Sequence, residues 1–130
     1  MSLVDPVIDA LTIIRNAENS SKKECKLSHA SNLLGEILKV AKENSYIESF
    51  EKHEENKKVS YNVKLSGKMN TCKGVRPRYA VRKNEYEKYE KRYLPARDVG
   101  LLVISTSQGV MTHAQAKAKG LGGRIVAYMY

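Results

Sequence analysis

The run Gly100-Leu101-Leu102-Val103-Ile104-Ser105-Thr106-Ser107-Gln108-Gly109 constrains this chain more than any other segment. Four apolar residues in succession read as a strand buried on both faces, so the fold has to supply a covering layer on each side. The strand then runs into three hydroxyls and a glycine, and a helix follows within a few residues. Thr112 with Gln115 three positions on is a capping box, and Gly120 is placed to end that helix. Polar groups are thereby delivered to the carboxyl edge of a rigid sheet. A last strand over 125–130 follows the glycine-rich Gly120-Leu121-Gly122-Gly123-Arg124.

The rest of the chain reads in shorter elements. Asp5-Pro6 suits a helix start, and Val7, Ala10, Leu11, Ile14 and Ala17 recur at helical spacing behind it. A second helix runs from Ser28 or Ser31 to Asn44, with Leu34, Ile37, Leu38 and Ala41 on one face. Residues 46–50 and 59–65 alternate as strands around a polar turn from His53 to Lys57, which predicts a β-hairpin. Residues 74–81 read as a strand that Pro77 confines to an edge or a strand start. Asn84 to Tyr93 reads as a helix stopped by Pro95. Its Tyr86, Tyr89 and Tyr93 share a face, a spacing that favours packing over stacking on bases. The predicted class is α+β in two small subdomains. Residues 1–66 carry two helices on a sheet containing the hairpin; residues 67–130 are mostly β with short helices. The joint is the polar Ser66–Thr71 stretch.

Charge separates the same two parts. Lys and Arg number 23 against 14 Asp and Glu, a net charge of +9. Residues 1–50 carry −1, residues 51–66 carry +1, and residues 67–130 carry +9. The second part is built to face a polyanion, and the first mainly packs and positions it. No apolar run approaches the roughly 20 residues of a membrane span, and the N-terminus lacks the features of a secretory signal. A cytoplasmic protein with no membrane partner is expected. Cys25 and Cys72 read as packing thiols rather than a disulfide.

Chemistry at the hydroxyl run has several readings. Ser105, Ser107 and His113 lie close together, as in a hydrolase, but no G-x-S-x-G elbow and no acidic partner accompany them. The loop lacks the G-x-x-x-x-G-K-[ST] spacing of a nucleotide site. Cys25 and His29 are four apart with no second close pair, so no metal site is expected. No enzyme, cofactor or small-molecule substrate is indicated. An unselective basic chaperone or DNA-binding module remains as an alternative. Small hydroxyls can instead donate to phosphate and ribose oxygens and enter a shallow RNA groove, while Gly109 and Gly122-Gly123 let backbone amides approach a ligand. A Ser/Thr turn that only caps its neighbours fits the same residues; the basic surroundings favour binding.

Gly100 through Lys117 resembles the signature of the small-subunit ribosomal protein S8 family, and Gly120 through Tyr130 resembles its C-terminal strand. Asp5-Pro6 through Arg15-Asn16-Ala17 is similar to the family's first helix. Pro77-Arg78-Tyr79-Ala80-Val81, Leu94-Pro95-Ala96-Arg97 and His113 are similar to the archaeal and eukaryotic branch. The resemblance implies a structural constituent of the small ribosomal subunit. Such a protein binds the central domain of small-subunit (16S) ribosomal RNA, helps that region assemble and adjoins other small-subunit proteins. Some members also repress their own messenger RNA. It further implies that Ser105, Thr106, Ser107 and Gly109 form the contact loop, with Arg15, Asn16 and Ser31 contributing from the first subdomain. Gly122, Gly123, Arg124 and Lys117 complete the expected RNA-binding set; bacterial members often carry an acid in the place of Arg124.

Overall fold

A computed structural model of the chain describes residues 6–27, 32–75, 78–96 and 99–130. The fold is α+β, and its contacts divide it into two compact units, Met1–Cys72 and Lys73–Tyr130. The division falls after Cys72, next to the Ser66–Thr71 stretch that the sequence offers as the joint.

In the first unit, α1 (Pro6–Asn19) buries Val7, Ala10, Leu11, Ile14 and Ala17 along one face, and α2 (Asn32–Glu43) buries Leu34, Ile37, Leu38, Val40 and Ala41. The expected Asp5 cap and the Ser28 or Ser31 start of α2 lie outside the described residues. Three antiparallel strands complete the unit in the order β1 (Glu24–Leu27), β3 (Lys58–Leu65), β2 (Ile47–Glu55). Central β3 alternates strictly, with Tyr61, Val63 and Leu65 buried beneath the helices' apolar faces. Strand β1 is absent from the sequence reading because Glu24-Cys25-Lys26-Leu27 carries no long alternation. The hairpin is tighter than expected: β2 and β3 pair from Ile47↔Leu65 to Glu55↔Lys58, and Asn56 and Lys57 alone make the turn. Both have positive φ, 50° and 65°, the conformation whose twist matches the flanking strands. Near the end of the unit, the Cys72 thiol donates to the Leu11 carbonyl at 3.2 Å.

The second unit is organised by one sheet, ordered β4 (Cys72–Gly74), β8 (Gly123–Met129), β6 (Leu101–Thr106), β7 (Gly109–Thr112), with β5 (Ala80–Val81) also paired to β8. Where one strand is expected over 74–81, the described residues form β4, ending at Gly74, and β5; Pro77 lies outside the described residues. Strand β6 is fully buried from Leu101 to Ile104, as its unbroken apolar run requires. Helices α3 (Tyr86–Tyr93) and α4 (His113–Lys119) cover one face, where Tyr86, Tyr89, Leu102, Ile104, Ala116 and Ile125 form a common core. The α3 tyrosines pack there as their spacing predicts, and the Tyr86 hydroxyl donates to the Leu121 carbonyl at 2.7 Å. The backbone turns extended at Leu94 (φ −99°, ψ 144°), the conformation that Pro95 imposes on its predecessor. The strand-to-helix passage is the main correction. The chain leaves β6, turns back through Ser107-Gln108, pairs as β7 and only then enters α4.

Candidate nucleic-acid interface

The hydroxyl segment is thus the tip of a β-hairpin. Thr106 pairs with Gly109, so Ser107 and Gln108 make a two-residue turn. The Thr106 Oγ1 donates to the Gly109 carbonyl at 2.8 Å and accepts from the Gln108 N–H at 3.1 Å. One hydroxyl of the three is therefore spent on holding the turn, which is the capping role the composition also allowed. Ser107 stands exposed at the tip, and Ser105 is half-buried on the strand before it. Gly109 has φ of +112°, a region closed to side-chain-bearing residues, although a Cβ there would meet no atom within 4 Å. Its glycine serves the turn.

Strand register places the surroundings. Ser105 is opposite Val110 on β7 and Arg124 on β8, and Arg124 is opposite Ala80 on β5. Residues directly opposite share a face, so Ala80, Arg124, Ser105 and Val110 form one row across four strands. Ile104 and Ile125, one step away, point into the core under α3 and α4, so the row lies on the sheet's other face. Arg124 is exposed, and its guanidinium donates to the Arg78 carbonyl at 3.4 Å. Arg78, Arg82 and Lys83 flank β5, all three exposed. The sequence reading missed these cations, though three basic residues within Arg78–Lys83 were a signal for them. Residues 73–130 hold twelve Lys and Arg against four Asp and Glu, a net of +8.

Other expected residues have different tasks. A Cβ on Gly123 would lie 2.4 Å from the Ser105 carbonyl oxygen, and one on Gly122 would lie 2.7 Å from that of Val81. Strand packing alone therefore requires both glycines. Lys117 is exposed, but its ammonium is bonded to Glu90. His113 meets the same carboxylate oxygen, Nε2 to Oε1 at 3.3 Å, while its Nδ1 accepts from the Leu102 N–H at 3.0 Å. Both imidazole nitrogens are thus committed away from the serines, which deprives the hydrolase reading of its base. Glu90, His113 and Lys117 line part of a cleft of about 550 Å³ beside α3 and α4. In the first unit Arg15 is half-buried and Asn16 exposed near the end of α1; Ser31 lies outside the described residues. Burial pushes the thiols of Cys25 and Cys72 up to about 11 and about 12, values that suit packing rather than reactivity. Among the described residues no group of three or more His, Cys, Asp or Glu is placed to hold a metal ion. No helix among them is long and apolar enough to cross a membrane.

This arrangement offers two serine hydroxyls on a fixed turn, without a hydrogen-bond partner among the described residues and bordered by exposed cations: groups for hydrogen-bonding and neutralising a nucleic-acid backbone. The sequence matches the family model described as Ribosomal protein S8 over residues 5–130, nearly its whole length. That family is one of structural ribosomal proteins and not of enzymes. The chain therefore belongs to the ribosomal protein S8 family, as a component of the small ribosomal subunit that binds ribosomal RNA.

Proposed function

We propose that the chain recognises an irregular helix in the central domain of small-subunit ribosomal RNA through the Ser105–Gly109 turn and the row beside it. The single observation that carries this reading is the rigid turn. Thr106 closes it from within, Ser105 and Ser107 remain for RNA, and Arg124, Arg78, Arg82 and Lys83 border it. Cations attract any RNA backbone, whereas hydroxyls on a fixed tip accept one groove shape and refuse others. Arg15, Asn16 and Ser31 add contacts from the first unit, and Gly122 and Gly123 act by letting the strands close up behind Ser105. Binding there organises the surrounding RNA during subunit assembly. The same surface would bind the protein's own message where that message carries a like fold. Pro77-Arg78-Tyr79-Ala80-Val81, Leu94-Pro95-Ala96-Arg97 and His113 support placing the chain in the archaeal and eukaryotic branch, working in the cytoplasm.

The test is footprinting on small-subunit ribosomal RNA together with Ser107→Ala. One compact protected element is expected. The variant should lose about 1–3 kcal/mol on that element, the usual worth of one specific contact, and nothing on bulk transfer RNA. Equal affinity of the two proteins for the element would overturn the assignment.

A further inference from the structure

We infer that Lys88 and Arg92 form a second phosphate-binding site for ribosomal RNA, on the helix side of the sheet and separate from the hydroxyl row. The inference rests on the family's binding of ribosomal RNA and not on the turn.

Counter-charge is the starting point. Among the described residues the carboxylates of α3 and its N-cap are engaged: Glu85 with Arg82, Glu87 with Lys91, and Glu90 with His113 and Lys117. Lys88 and Arg92, one helical turn apart, have no carboxylate within ion-pair distance among the described residues, and both are exposed. Two like charges at i and i+4 disfavour the helix that carries them, so the pair needs a reason. Aromatic rings hold both cations in place. The Lys88 ammonium lies 5.6 Å from the Tyr89 ring centre; the Arg92 guanidinium lies 5.1 Å from that of Tyr79 and 5.5 Å from that of Tyr93. These rings are themselves anchored. Tyr79 stacks on Tyr89 at 6.1 Å, Tyr93 on Tyr128 at 5.2 Å, and Tyr128 on Tyr130 at 6.3 Å.

A guanidinium held between two rings, which supply no hydrogen-bonding oxygen to it, keeps N–H donors for an anion, and a phosphate can take two of them in parallel bonds. Holding the side chain before contact removes much of the rotamer cost that an ordinary surface arginine meets on binding. The ring faces already stack on one another, so the tyrosines act as a mount for the cation rather than as a platform for bases. Because α3 covers the face opposite Ser105 and Arg124, one duplex groove cannot serve both sites. The RNA held by Lys88 and Arg92 is a second segment.

The experiment compares full-length wild-type protein, Arg92→Ala, Arg92→Lys, Ser107→Ala and Lys39→Ala, the last removing an exposed charge on α2 as a control. Hydroxyl-radical footprints are taken on whole small-subunit ribosomal RNA, and affinities on that RNA and on a short cognate helix. Two protected stretches are expected for wild type. Arg92→Ala should erase one of them and leave the other, which Ser107→Ala weakens instead. Its affinity for whole RNA at 0.15 M salt should fall about fivefold, the worth of one phosphate contact, with no change on the short helix. Arg92→Lys should recover only part of that loss. The inference is overturned if Arg92→Ala loses no more than Lys39→Ala, or if both variants erase the same stretch. It is likewise overturned if Arg92→Ala leaves the RNA protections intact and instead releases a neighbouring ribosomal protein.

Discussion

Replacing Gly123 by alanine tests the packing behind the proposed contact surface. The added Cβ would stand 2.4 Å from the Ser105 carbonyl oxygen and 2.8 Å from Ile104 Cγ2, the first roughly 1 Å inside van der Waals contact. The nearer atom is backbone, on a strand buried from Leu101 to Ile104, so no side-chain rotation relieves the clash. Strands β6 and β8 have to part where Ile104 faces Ile125 and Ser105 faces Arg124. Overpacking a core costs about 1–3 kcal/mol, and each ladder bond weakened by the parting adds about 1 kcal/mol. A loss of about 3 kcal/mol follows, or a fall in Tm of about 12 °C at roughly 4 °C per kcal/mol for a chain of this size. Urea and thermal melts read it directly. Gly67→Ala is the control: Gly67 has φ of +78° and open space around it, so that change meets backbone strain alone, about 1 kcal/mol. If Gly123→Ala costs no more than Gly67→Ala, strand contact is not what demands glycine here. The folded fraction of the variant should also bind RNA less well, since Ser105 is the residue displaced.

Two further outcomes concern stability. Thr112→Ala removes an Oγ1 that accepts from the Gln115 N–H at 3.1 Å and leaves the Gln115 side chain bonded to the residue-112 N–H; a loss of about 1–2 kcal/mol is expected in urea melts, and none would refute the capping role. Cys72, with its thiol pushed from 9.0 up to about 12 by burial, holds its proton when folded and releases it more easily when unfolded. Its contribution is therefore complete below pH 9 and declines between pH 9 and about 12, at up to about 1.4 kcal/mol per pH unit. Unfolding measured from pH 8 to 10.5 should show a shallower decline in Cys72→Ala than in wild type; parallel curves would refute the assignment.

Periodicity carried the sequence reading far. The helical spacing of Val7 to Ala17 and of Leu34 to Ala41, the unbroken apolar run of β6 and the Thr112–Gln115 box each correspond to a strong local preference that tertiary structure had no cause to override. What escaped depends on backbone geometry that composition does not announce. Ser21 and Ser45 follow α1 and α2 with φ of 56° and 64°, where glycine or asparagine is the usual signal. Lys57 does the same in the hairpin turn, so the turn read as five residues instead of two. Strand β7 was hidden because Gly109-Val110-Met111-Thr112 is too short to alternate and merges with the cap of α4. At the site, residue types pointed to hydroxyls and cations, but not to how the fold places and pairs each of them. Only register shows that Arg124 stands beside Ser105, and only contacts show that Lys117 belongs to Glu90.

A division of labour between hydroxyls and cations has an energetic sense on the proposed reading. Long cationic side chains attract RNA over several ångströms, yet each loses rotamer entropy on contact and its attraction fades as salt rises. A serine has a single rotor before its hydroxyl, and here its backbone is fixed in advance by the Thr106 bonds and by a strand with no exposed apolar residue from Leu101 to Ile104. Contacts made by Ser105 and Ser107 therefore cost little ordering, and salt does not screen them as it screens ion pairs. Discrimination between RNAs then resides in the part of the surface least sensitive to ionic conditions, while the part most sensitive to them, Arg78, Arg82, Lys83 and Arg124, sets how fast and how firmly any RNA is first held. A run of three hydroxyls serves this better than one would, since the middle residue of the run can be given up to hold the shape in which its two neighbours are read.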